Sequence, residues 1–204
     1  MKIPPPPYAL LKAIGVPLFK LYFRLESEGK ENIPEKGSAI IVANHSSFID
    51  ALFIAATVPR KIGFMMLQSF YKKPVLNWFC RDITCIPVPD NESGHHALRR
   101  AIEYLKKENA LSIFPEGGRS DDGKLKEAKT GTAFIALKTQ TPVIPAGIVG
   151  NFRAYSKHHL IPRPYKIIVR YGKPMVFAKK NKISSEDLRN VTGKIMERIR
   201  ELME

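Results

Sequence analysis

A chain of 204 residues with 44% hydrophobic content is long enough to bury one sizeable core and too apolar to be disordered. Its formal charge of +14, from 33 Lys and Arg against 19 Asp and Glu, favours an anionic partner: nucleic acid, anionic lipid or a phosphorylated substrate. Nothing reads as a zinc finger or an RNP pair, and Cys80 and Cys85 without a CxxC or HExxH motif support neither a disulfide framework nor a structural metal.

The prolines Pro4 to Pro7 precede an apolar run, Tyr8 to Phe23, with no small-residue cleavage site after it. Sixteen residues interrupted by Lys12, Gly15, Pro17 and Lys20 are too few and too broken for an ordinary spanning helix. The run reads as a helix, kinked or divided at Pro17, that either packs on the core or lies on a membrane surface. After a turn-rich connector, Ser38 to Asn44 reads as a buried strand. In NHSSFIDALFIAATVP, Ser46 or Ser47 is placed to cap a helix that Pro59 stops. KIGFMML and Thr84 to Val88 are two further strands, the second weakened by Pro87 and Pro89. A helix is expected over His95 to Lys107, a buried strand over Ala110 to Phe114, and a short helix over Gly131 to Lys138. Strands follow at Val143 to Val149 and Ile167 to Tyr171. Leu188, Val191, Ile195, Ile199 and Leu202 mark an amphipathic last helix, opened by a Ser184–Asp187 capping box. This alternation predicts one α/β domain over 28–204, with a central mixed, mostly parallel sheet flanked by helices, preceded by a helical segment over 1–27.

His45 stands between a strand and a helix, with Asp50 five residues on. Five residues of regular helix turn a side chain by about 140°, so the two meet only if His45 precedes the helix and Asp50 reaches back from its first turns. A carboxylate so placed fixes the imidazole tautomer and leaves the other nitrogen to deprotonate a hydroxyl. The plainer alternative is a strand-end histidine with an acid near the helix dipole. The block IFPEGGRS also follows a buried strand. Gly117 and Gly118 permit a tight turn that presents N–H groups, Arg119 offers a fork for phosphate or carboxylate, and Glu116 can accept from hydroxyls or hold Arg119. Read alone, this block is equally a surface turn with one solvated charge pair. His95 and His96 read as surface histidines at a helix start, His158 and His159 as part of a basic, proline-flanked loop, and Trp78 and Phe79 as core or membrane contacts or as the lining of an acyl groove.

Taken together, NHSSFID, FPEGGRS and VIPAGI resemble the glycerophosphate and lysophosphatidate acyltransferase family, over roughly Glu28 to Lys173. The resemblance implies that His45 is a general base and Asp50 its partner. It implies that Glu116, Gly117, Gly118 and Arg119 bind the phosphate and glycerol part of a 1-acylglycerol-3-phosphate acceptor. The donor is then acyl coenzyme A or acyl carrier protein, with no cofactor and no nucleic acid. The enzyme is then a peripheral membrane protein on the cytoplasmic face, drawn to anionic lipid.

Two blocks depart from the family pattern. Gly118 replaces its usual Thr, and with Pro74 aligned, Leu67 takes the place of a Lys and Pro89 or Asp90 that of an Arg. The second departure leaves open a different lysolipid acceptor, with Lys72, Lys73 or Arg81 as substitutes. A lipid-binding protein without turnover is the alternative of another class.

Overall fold

The computed structural model describes residues 14–68, 85–88, 95–180 and 182–204. In chain order they form α1 (Val16–Tyr22), β1 (Glu26–Glu28), β2 (Ala39–Ala43), α2 (Asp50–Thr57), β3 (Ile62–Leu67), β4 (Cys85–Val88), α3 (His95–Leu105), β5 (Ala110–Ile113), α4 (Gly131–Thr139), β6 (Val143–Val149), α5 (Asn151–Tyr155), β7 (Ile168–Tyr171) and α6 (Ser185–Met203). The α/β expectation holds. The seven strands make one sheet in the order β1-β7-β6-β2-β5-β3-β4. Every pairing is parallel except β6 with β7.

The central strands β2, β5 and β6 are buried almost throughout, which is why they read as continuous apolar runs rather than alternating ones. Alternation survives as a division between two cores. Ala39, Ile41 and Ala43 face a layer with Phe53 and Ile54 of α2, against which Phe19 of α1 packs. Ile40 and Val42 face α3, α4 and α6 through Ala101, Leu105, Ile135, Ile195 and Ile199. The capping box at Ser184 and Asp187 is formed, and α6 buries Val191, Ile195, Met196 and Ile199, each contributing about 1.5–3 kcal/mol. Pro87 is tolerated because β4 lies at the sheet edge.

Within the first segment α1 is a short helix with Pro17 in its first turn and no buried residue of its own, while Phe23 directly after it is buried in the core. The expected boundary between residues 27 and 28 falls inside β1, which pairs with β7 through Glu26, Ser27 and Glu28. Cys85 is buried, as expected of a core cysteine. Tyr8, Lys12, Lys72, Lys73, Pro74, Trp78, Phe79, Cys80, Arg81, Pro89 and Asp90 lie outside the described residues.

One expectation is corrected. Neither Ser46 nor Ser47 caps α2 with its side chain: the helix begins at Asp50, and Ser47 Oγ accepts from the Ile49 N–H instead. The Asp50 carboxylate reaches back to accept the N–H groups of both serines, which places them in the turn ahead of the helix.

Because β2, β5 and β6 are parallel, their C-terminal ends open on the same side, where an open α/β sheet places ligands. Asn44 and His45 follow β2, Phe114 to Ser120 follow β5, and Gly150 to Tyr155 follow β6. The chain returns into antiparallel β7 from that same end, and β1 starts there too, so the loop 156–167 and α1 share it.

Candidate active site

His45 and Asp50 meet as the spacing required. His45 Nδ1 lies 2.8 Å from Asp50 Oδ2, with His45 ahead of the helix and Asp50 as its first residue. Asp50 is fully buried. Its Oδ2 also accepts from the backbone N–H groups of Ser46 and Ser47, both at 2.8 Å, and its Oδ1 accepts from Asn151 Nδ2 at 2.8 Å. An oxygen that receives two backbone N–H donors carries no proton of its own. The shared hydrogen therefore sits on His45 Nδ1, and the lone pair is on Nε2. The imidazole stacks on Phe114, with ring centroids 4.3 Å apart, and its side chain stays 22% exposed, open to an incoming hydroxyl.

The block after β5 holds the histidine by its backbone. The His45 N–H donates to Glu116 Oε1 at 2.7 Å, and the His45 carbonyl accepts from the Ser120 N–H at 2.7 Å. Glu116 Oε2 accepts from the Lys126 N–H at 2.9 Å. Glu116 is 5% exposed, and burial pushes its carboxyl above the ordinary range despite those two donors. Both oxygens of Glu116 are therefore engaged by main chain, and no hydrogen bond joins it to Arg119 among the described residues. The fork of Arg119 lies 3.3 Å over the Phe48 ring, with Nη1 buried and without a hydrogen-bond partner among the described residues. Burial lowers its affinity for the proton, and the charge of Asp50 opposes this. The site thus holds a histidine–carboxylate pair beside a guanidinium with an unused donor, suited to activating a hydroxyl on an anionic molecule.

The two glycines differ. Gly117 has φ +67°, a left-handed conformation, whereas a Cβ on Gly118 would meet nothing within 4 Å. A Cβ, as in the threonine usual in the family, has room at Gly118. Gly117→Ala should destabilise the protein by about 1–2 kcal/mol, the cost of a Cβ in that region, and Gly118→Ala by less than about 0.5 kcal/mol. Urea midpoints of the two variants check this, and equal losses would remove the backbone explanation.

Sequence reasoning missed Asn44 and Asn151. Asn44 bridges β2 to β6, donating to the Ile148 carbonyl at 3.0 Å and accepting from the Ile148 N–H at 2.7 Å. Asn44 directly precedes His45, and that is the only local signal it gave. Asn151 is 101 positions from Asp50 and gave none. Leu67 ends β3, and the side chains of Lys72, Lys73 and Arg81 lie outside the described residues. His96, expected at the surface, is exposed, as is His158, and His159 is half-buried; His158 Nε2 lies 2.9 Å from the Asp121 carbonyl oxygen and His159 Nδ1 accepts from the Ser156 N–H at 3.1 Å.

A histidine–carboxylate pair at the C-terminal end of a parallel sheet, clamped by a glycine-bearing turn, is an arrangement able to activate a hydroxyl. Comparison with known proteins makes that chemistry specific. The family pattern described as Acyltransferase matches residues 24–149, which hold every residue of the site but Asn151, and the chain belongs to that family. It is 31% identical to the 1-acyl-sn-glycerol-3-phosphate acyltransferase LPAT1, chloroplastic, of Arabidopsis thaliana, over 64% of this chain and 37% of that protein. It is 28% identical to the 1-acyl-sn-glycerol-3-phosphate acyltransferase of Bacillus subtilis (strain 168), over 85% of each chain. The crystal structure of the 1-acyl-sn-glycerophosphate acyltransferase PlsC from Thermotoga maritima matches with a TM-score of 0.77 and 32% identity, over 95% of this chain and 78% of that one. The chain spans less than two fifths of the length of the Arabidopsis relative.

Proposed function

We propose that this chain transfers a fatty acyl group from acyl coenzyme A or acyl carrier protein to the free hydroxyl of 1-acylglycerol-3-phosphate. The observation that carries the proposal is the His45–Asp50 pair at 2.8 Å, locked by its backbone to the block that bears Arg119. His45 Nε2 takes the proton of the acceptor hydroxyl as that oxygen attacks the thioester carbonyl carbon. The C–S bond then breaks, and the thiolate leaves with the proton held by His45, giving an ester and a free thiol. Asp50 stabilises the imidazolium between those two transfers. Arg119 and Gly118 receive the acceptor phosphate, and Gly117, whose N–H donates to the Phe114 carbonyl at 3.1 Å, supplies the turn. Glu116 acts by holding His45 and the turn rather than by touching the lipid.

Residues 1–27 are proposed as a membrane-interfacial segment and 28–204 as the catalytic domain, the whole binding as a peripheral protein at the cytoplasmic face. Among the described residues no helix is long and apolar enough to cross a membrane. Leu67, in the place of the family's Lys, favours testing other acceptors alongside. The test is transfer from acyl coenzyme A and from acyl carrier protein to 1-acylglycerol-3-phosphate and to lysolipids with other head groups. Preferred use of an unphosphorylated acceptor would replace the acceptor assignment, and no transfer to any would overturn the reading. Arg119→Lys should raise KM for the phosphorylated acceptor about tenfold with a smaller change in kcat, because a point charge cannot reproduce the fork. An unchanged KM would remove Arg119 from phosphate binding.

A further inference from the structure

At the end of the sheet that carries His45, the loop between α5 and β7 turns two large apolar side chains outward. Leu160 is 97% exposed and Ile161 71%. Such exposure is expected of a mobile tip with nothing to hold it, but this loop is held. The Tyr22 hydroxyl donates to the Pro162 carbonyl at 2.9 Å, and Arg24 Nη2 donates to the Pro164 carbonyl at 3.2 Å. The Arg163 N–H donates to the Ala154 carbonyl at 2.8 Å, and the Ile167 N–H to the Phe23 carbonyl at 3.0 Å. Pro162 and Pro164 fix two φ angles directly after the tip. A loop fastened this way presents Leu160 and Ile161 to solvent persistently, and water does not favour that arrangement.

The surface continues in two directions. Tyr22 and Arg24 tie the loop to α1, whose Leu18 and Leu21 are 60% and 74% exposed. Back along the chain, the Tyr155 ring lies 5.4 Å from that of Phe48, which carries the Arg119 guanidinium. The segments that carry or adjoin these apolar groups hold Lys20, Arg24, Arg153, Lys157, Arg163 and Lys166, against Asp121, Asp122 and Glu26. Lys157 pairs with Asp121 and Lys166 with Glu26, both on the surface, and the balance remains basic.

We infer that the 160–161 tip is a second membrane-docking element, which inserts Leu160 and Ile161 between the lipids of an anionic leaflet while the basic rim meets the head groups. Apolar side chains ringed by lysine and arginine are the arrangement that partitions into such an interface. Together with α1 the tip sets two points of contact on one side of the site. The His45 opening then faces the surface from which a lysolipid arrives. The inference rests on the acyltransferase reading for its lipid partner. Its test does not need turnover, so either can fail alone.

The test compares the full chain with Leu160→Ser/Ile161→Ser, a change that removes apolar area without altering charge. The control is Val176→Ser, an equally exposed apolar position beside the Met175–Val143 bridge, at the opposite end of β6. Co-sedimentation uses vesicles of equal parts phosphatidylcholine and phosphatidylglycerol. The double variant should bind about tenfold more weakly or worse, the control as the parent does, and transfer to a monomeric short-chain lysolipid should persist. A separate Ile161→Trp variant should show blue-shifted emission on adding vesicles, measured as a difference from the parent with its own Trp78. Unchanged vesicle binding by the double variant, an equal loss in the control, or no shift from Trp at 161 overturns the proposal. So does a loss confined to reactions with acyl carrier protein, which would assign this face to the carrier.

Discussion

His45→Ala is expected to lower kcat/KM for acyl transfer by at least about 10²-fold, the usual loss when a general base is removed. Its thermal midpoint should move little. The side chain is 22% exposed, and the clamp on the residue is made by its backbone, through the N–H to Glu116 and the carbonyl from Ser120, both of which alanine keeps. What alanine loses is the stacking on Phe114 and one of the donors to Asp50. The same measurement separates an enzyme from a lipid-binding protein without turnover. For an enzyme, the variant binds vesicles as the parent does and fails to transfer. If the folded variant turned over at the parental rate, hydroxyl activation by His45 would be wrong, whatever the family of the chain.

This pair was legible in the sequence because it is local. A five-residue spacing across a strand–helix junction has one workable geometry, with the histidine outside the helix and the carboxylate reaching back, and the structure adopts it. The buried strands were legible for a similar reason, since a strand covered on both faces reads as an apolar run. The support for the pair was not legible. Glu116 looked like a ligand for hydroxyls or for Arg119, because a carboxylate beside an arginine suggests a pair. Its oxygens instead go to backbone N–H groups, which have no letter in the sequence. Asn151 opens a short helix after β6, and only the parallel pairing of β2 with β6 brings it to Asp50. β1 was not recognised because its three residues, Glu26 to Glu28, are polar and largely exposed. It exists through its hydrogen bonds to β7.

The four donors around Asp50 make a sharper prediction for Asp50→Asn than the pairing alone would give. An asparagine has one oxygen and one amino group to place where the carboxylate had two acceptors. The Ser46 and Ser47 N–H groups are main chain and cannot be reversed, so the oxygen must stay at the Oδ2 position, still facing His45 Nδ1. The imidazole therefore keeps its tautomer. What it loses is the negative charge that stabilises the imidazolium once the acceptor proton has been taken. Asp50→Asn should lower kcat by about 10²-fold or more, with KM for either substrate changed far less. The amino group then points at Asn151 Nδ2, donor to donor, unless the Asn151 amide turns over to offer its oxygen. Asn151→Ala removes that donor and leaves Oδ1 of the buried Asp50 unpaired, costing about 1–3 kcal/mol of stability while the charge beside His45 remains. Its kcat should therefore fall much less than that of Asp50→Asn, even if its midpoint falls more. Steady-state rates and thermal midpoints of the two variants measured together decide the matter. If the charge is what Asp50 supplies, rate and stability separate in this order. If both variants lose rate only in proportion to stability, Asp50 is a structural cap and the imidazolium is stabilised by something else.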